Sequence, residues 1–97
     1  MADFLGLQNR VAIVTGAAGD IVRATVKLLV SHKVKVLALD INPQVHSLIH
    51  NDQVVTHICD VSLEHEVIGA VKLAQSAFGT VDVLINNAGK TLNKRAI

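Results

Sequence analysis

Apolar and polar positions along this chain follow two alternating rhythms. Short, continuous apolar runs, of the kind buried on both faces of a sheet, are separated by longer stretches in which apolar residues recur at helical spacing. The first run is Arg10 to Thr15, RVAIVT. A helix is predicted from about Asp20 to Ser31. Ile21, Ala24, Leu28 and Leu29 fall at i, i+3, i+7 and i+8, Val22, Val26 and Val30 widen the stripe, and Arg23 and Lys27 are left for water. A second strand follows from Val34 to Asp40, VKVLALD. Pro43 suits the first turn of a short helix reaching about His50, and QVVTHICD, Gln53 to Asp60, reads as a third strand. Ser62 is placed to cap a longer helix to about Phe78, with Glu64 and Glu66 in its first turn, where negative charge suits the helix dipole. Gly79 stops that helix, and VDVLIN, Val81 to Asn86, is the last strand. The order βαβαβαβ, with right-handed crossovers, implies an α/β fold of three layers whose parallel sheet runs in the spatial order 3-2-1-4.

Composition narrows this picture. The 97 residues suit one domain spanning 1–97, and no repeat or linker divides them. Apolar residues make up 51%, yet Phe4 and Phe78 are the only aromatics, so the core must be built from Val, Ile, Leu and Ala. A formal net charge of +1 gives no concentrated basic face for nucleic acid or an anionic membrane. The opening MADFLGLQNR lacks a basic segment followed by a sustained apolar one, and no window reaches membrane-spanning length. Cys59 stands alone, so no intrachain disulfide can form. These features lead to the expectation of a soluble, cytoplasmic chain whose charged tail, residues 90–97, is frayed.

The candidate chemistry lies in four short motifs: VAIVTGAAG at the first strand-to-helix turn, LALD closing the second strand, CDVS after the third and NNAG after the fourth. In this order and at these separations they resemble the short-chain dehydrogenase/reductase family, from Arg10 to Gly89. The resemblance implies the N-terminal half of a Rossmann-like dinucleotide-binding domain, with the chain stopping after the fourth strand. It also implies NAD as cofactor, held by Gly16, Ala17, Gly19, Asp20, Ile21, Asp40, Ile41, Asp60, Val61, Asn87, Ala88 and Gly89. Gly16 would make the tight turn and leave room for the adenine ribose. Asp40, at the carboxyl edge of the sheet, could hydrogen-bond ribose hydroxyls and repel a 2′-phosphate, which favours NAD over NADP; its alternative is a solvated strand end. By resemblance Asp60 would reach the adenine amino group with Val61 beside the ring. A plain turn role for Asp60 with Ser62 remains equally open. Asn86 to Gly89 would line the pocket, and Asn87 would also tie adjacent strands.

Two positions depart from the family pattern T-G-x-x-x-G-x-G, and a third from the family's usual helix exit. Asp20 and Val22 stand where its last two glycines align. As an N-cap, Asp20 would satisfy the helix N–H groups from within the chain and contest the place of a pyrophosphate. Val22 puts a branched Cβ where close backbone approach is needed. The alternative is that Gly19 has taken over one lost glycine. Lys33 stands where a left-handed glycine commonly ends the helix. Glycines are lost together, whether the change is natural or engineered.

Other candidates count for less. His46 and His50 are spaced i, i+4, but no third metal ligand lies near. His57 and His65 read as solvated, and Cys59 as a buried thiol without a histidine partner. The family's catalysis uses a Tyr-x-x-x-Lys pair with an upstream Ser, and the 97 residues contain no tyrosine, so no catalytic residue is assigned. Three readings follow: a catalytically inactive dehydrogenase fragment with an impaired pyrophosphate turn, a minimal module binding NAD or another adenine nucleotide, or a structural domain. The last rests on the fourth strand, where Val81, Val83, Leu84 and Ile85 would offer an edge for self-association guarded only by Asp82.

Overall fold

The computed structural model describes residues 6–48 and 51–87. Four strands, β1 (Val11–Thr15), β2 (Lys35–Asp40), β3 (Val54–Ile58) and β4 (Val83–Asn86), form one sheet in the order β3-β2-β1-β4. All three pairings are parallel. Two helices connect them, α1 (Asp20–Ser31) and α2 (Glu64–Phe78), with a 3-10 helix (Pro43–Ser47) between β2 and β3. The topology is the one the element order implies, and the β1–β4 junction is where the strand order reverses direction.

Strand pleating divides the core in two, because successive side chains point to opposite faces. Ala12, Val14, Val36, Ala38 and Val54 pack beneath α1 through Val26, together with Val45 of the 3-10 helix. Ile13, Leu37, Leu39 and Cys59 pack beneath α2 through Ala70 and Ala74. The aligned register, Ala12 beside Val36 and Val36 beside Val54, carries one layer across three strands. Every residue of β1 is buried, which explains its lack of polar alternation.

Several local expectations need correction. The core-facing side of α1 is formed by Val22, Val26, Leu29 and Val30, whereas Ile21 is 84% and Leu28 59% exposed. Seven apolar positions gave a stripe too broad to fix the helix phase, and the sheet selects the face that lies over it. Arg23 is not left to water: its guanidinium donates to the carbonyls of Ala18 and Gln44 and to the Ser47 hydroxyl, tying the start of α1 to the 3-10 helix. Ser62 does not cap α2. Leu63 holds the cap position without a side-chain bond, while Ser62 is drawn back by its N–H and hydroxyl to Asp60 Oδ1, at 2.9 and 2.7 Å. The helix foreseen from Pro43 is a 3-10 turn over Pro43–Ser47, with the Asn42 side chain accepting from the Gln44 N–H. His50 lies outside the described residues, and no group of three metal-ligating side chains occurs among those described.

Helix ends follow the expected chemistry more closely. At the end of α1 the Val34 N–H reaches the Leu29 carbonyl and the Lys33 N–H the Val30 carbonyl, and Lys33 has a left-handed φ of +67°. Gly79, at φ +91°, ends α2. No helix among the described residues is long and apolar enough to cross a membrane.

Candidate functional site

The turn after β1 is strapped to the end of β2. Gly16 takes φ +67°, the left-handed geometry its place in the turn requires. Next, the Ala17 N–H donates to the Leu39 carbonyl and the Ala18 N–H to Asp40 Oδ2, both at 2.9 Å. Asp40 Oδ1 accepts from the Asn42 N–H, also at 2.9 Å. Its carboxylate therefore holds two loops and keeps one lone pair on each oxygen for a further donor.

Gly19, not Asp20, is the N-cap of α1, with extended φ −73° and ψ 153° and no side-chain cap bond. Asp20 already has helical geometry as the first residue of the helix, so its carboxylate cannot fold back as a capping oxygen does. It remains an exposed negative charge in the first turn, where the helix dipole favours it. A Cβ built on Gly19 would meet only the Gly16 carbonyl oxygen, at an ordinary 3.7 Å. Neither space nor backbone geometry demands glycine at that position.

An open cleft of about 510 Å³ lies at the carboxyl ends of the strands. The turn contributes Gly16, Gly19 and Val22, and the end of β2 contributes Asp40 and Ile41. Cys59, Asp60, Val61 and Ser62 follow from β3, and Asn87 closes it beyond β4. Seven residues singled out in the sequence, Gly16, Gly19, Asp40, Ile41, Asp60, Val61 and Asn87, thus come together from four separate loops. Ala17 is fully buried in the core, and Asp20 and Ile21 are exposed outside the lining. Ala88 and Gly89 lie outside the described residues.

Asp60 serves as a turn former: its Oδ1 takes both Ser62 bonds, and its own N–H donates to Glu66 Oε1 at 2.7 Å. The Ser62 hydroxyl and then the Ser62 N–H hold the carboxyl below its ordinary range. Cys59 is buried as expected, its thiol donating weakly to the Glu66 carbonyl at 3.7 Å. Burial, followed by the charges of Glu66 and Asp60, pushes its pKa up. On the β4 side the Thr15 hydroxyl donates to Asn86 Oδ1 at 2.8 Å and accepts from the Asn87 N–H at 2.9 Å. The strand ends are thus tied by the Asn86 side chain and by the backbone, not the side chain, of Asn87. Cys59 and Ser62 were absent from the sequence-based site, although both flank Asp60 in the CDVS motif.

A second, more apolar cavity of about 290 Å³ lies between α2 and the β1–β4 pair, bounded by Ile13, Val67, Val71 and Leu84. Thr15 and Asn86 stand at its polar end.

Comparison with known proteins gives the same reading from an independent direction. The family model described as short chain dehydrogenase matches residues 10–96. The chain is 41% identical over 88 residues to short chain aldehyde dehydrogenase 1 of Euphorbia lathyris, covering 86% of this chain and 31% of the relative. It is 38% identical to the mitochondrial borneol dehydrogenase of Lavandula x intermedia, covering 86% and 32%. Among solved structures it is similar to a 3-ketoacyl-(acyl-carrier-protein) reductase from Brucella melitensis complexed with NADH. That match has a TM-score of 0.77 at 29% identity and covers 81% of this chain and 34% of the reductase. A hydroxysteroid dehydrogenase from Escherichia coli gives a TM-score of 0.78 at 30% identity, over 92% and 40%. The chain spans about a third of the length of the curated relatives it matches. With its motifs in order, its strands in the order β3-β2-β1-β4 and a family match over nearly all its residues, the chain belongs to the short-chain dehydrogenase family.

Proposed function

We propose that these residues form the nucleoside-holding half of an NAD-dependent oxidoreductase and have no turnover of their own. The observation that carries this reading is the convergence of Gly16, Asp40, Asp60, Val61 and Asn87 on one cleft at the strand ends, where ligands bind in open α/β sheets. The adenosine part of the cofactor fits this donor set. Gly16 leaves its side of the cleft free of a side chain, Asp40 retains acceptor capacity for ribose hydroxyls, and Val61 supplies an apolar wall. Bound NAD would supply hydride-transfer chemistry. The chain's own residues hold and orient the nucleoside and repel a 2′-phosphate through Asp40.

Proton transfer needs a group these residues do not provide. The chain contains no tyrosine, hence no Tyr-x-x-x-Lys pair. Incubated with NAD(H) or NADP(H) and a panel of alcohols and ketones, the 97-residue protein should show no rate above a protein-free control. Activity that scales with protein and survives repurification overturns the proposal. Calorimetric titration with NAD, NADH, AMP, ADP-ribose and adenosine tests the binding half, and failure of all five to bind overturns it. The lone buried thiol suits a reducing compartment such as the cytoplasm.

A second reading concerns association. Among the described residues β4 pairs only with β1, and Val83 and Leu84 are exposed on it. The expected guard is turned away: Asp82 Oδ2 accepts from the Val11 N–H at 2.9 Å and the carboxylate pairs with Arg10 at 3.6 Å. A second copy pairing along β4 would extend the sheet across a two-fold axis.

A further inference from the structure

The cleft and the turn beside it disagree about ligand charge. The cleft wall carries two carboxylates, Asp40 and Asp60, and no lysine or arginine among the described residues that line it. A pyrophosphate would settle over the N-terminal N–H groups of α1, where a close backbone and a partial positive charge attract anions. Here the first helical residue is Asp20, exposed and without a cap bond, so its full negative charge outweighs that partial positive one and leaves the turn net negative. Two residues on, Val22 lines the cleft and packs its branched side chain against the core under α1, so it cannot swing clear. Arg23, three residues on from Asp20, is not among the residues that line the cleft: its Nε and Nη2 groups are directed to the Ala18 and Gln44 carbonyls and the Ser47 hydroxyl.

From this disagreement we infer that the site takes an uncharged purine nucleoside in preference to its phosphorylated and dinucleotide forms. The inference rests on the cleft being a nucleoside site, as proposed above, and reverses the usual ranking, in which phosphate contacts at the turn add affinity. Repulsion at an exposed carboxylate is screened by salt, with a Debye length of about 10 Å at 0.1 M falling to about 3 Å at 1 M. Charge and steric blockage therefore separate by experiment.

Adenosine, AMP, ADP-ribose and NAD should be titrated by calorimetry into the 97-residue protein and its Asp20→Asn and Val22→Ala variants, at low and at high salt. Adenosine is expected to bind at least as tightly as ADP-ribose and NAD at low salt. Raising the salt should strengthen the charged ligands several-fold relative to adenosine. Asp20→Asn should narrow the adenosine-to-ADP-ribose ratio several-fold at low salt, and the exposed position of Asp20 makes that variant safe for folding. Val22→Ala should narrow it further at either salt. If ADP-ribose or NAD binds tenfold more tightly than adenosine, the cleft is a nucleotide site and the inference falls while the proposed function stands. An adenosine-to-ADP-ribose ratio that Asp20→Asn leaves unchanged also overturns it. If no ligand binds any of the three proteins, the nucleoside reading fails, and this inference with it.

Discussion

Lys33 holds a position built for glycine. The hydrogen bonds around it complete the left-handed exit from α1, yet its φ of +67° places a Cβ in a crowded conformation. Its ammonium offsets part of that cost by standing near the helix C-terminus. Lys33→Gly should therefore raise stability by about 0.5–1 kcal/mol, read as a higher urea or thermal midpoint; a lower midpoint would show that the charge outweighs the strain. Cys59 gives a pH-dependent counterpart. Burial raises its folded pKa, so its contribution is complete below the unfolded value of about 8.5 and is lost as pH rises through the folded one. Unfolding free energy should fall above roughly pH 8.5, and Cys59→Ala should remove that component of the slope. In native protein the thiol should react far more slowly with a disulfide reagent than in urea, and equal rates would contradict its burial. Both residues were readable as types: the helix exit from its near neighbours in sequence, and the thiol from its apolar character and the lack of a histidine partner, its burial being completed by Ile13, Leu37, Ala70 and Ala74.

Elements show where local pattern stops being enough. The spacing in α1 gave its span, Asp20–Ser31, although its N-cap proved to be Gly19 and not Asp20, but left its rotation ambiguous. Val26 is 1% exposed and Leu28 59%. Val26→Ala should cost roughly 2 kcal/mol by opening a cavity under the helix, whereas Leu28→Ala should stay within about 0.5 kcal/mol. Denaturant midpoints of the two variants decide between the faces, and a larger loss at Leu28 would return the helix to the phase its sequence alone favoured. The start of α2 was misplaced for a related reason. Ser62 has the chemistry of a cap, but the carboxylate of Asp60, two residues back, competes for its N–H and hydroxyl and wins both. A cap residue and a turn residue cannot be told apart until the competing acceptor is in place.

At the scale of the whole molecule, the question is what the edge of β4 does. Asp82 is bound to the β1 side, Val83 and Leu84 are exposed on β4, and Leu84, at 62%, borders the second cavity. Sedimentation over a concentration series should reveal association that Val83→Lys weakens, because a charge on that strand must be desolvated for a second copy to pair. A monomeric protein at high concentration, or a lysine variant that associates equally, rules out pairing through this edge.

The sequence by itself pointed to the family through its four motifs, and it determined the order of elements and the strand order because hydrophobic period, chain connectivity and crossover handedness leave few other arrangements. It also named most of the residues that line the cleft, since Asp40 ends a strand, Gly16, Asp60 and Asn87 follow one, and parallel strands deliver all their carboxyl ends to one side. Tertiary structure alone decided which atoms those residues spend on one another. That Asp40 holds the turn, that Asp60 bonds Ser62, that Arg23 binds the 3-10 helix and that Asp20 is a charge without a cap all depend on contacts between segments. Hydrogen-bonding capacity is written in the residue type, but its assignment requires partners that only folding brings within 3 Å or so.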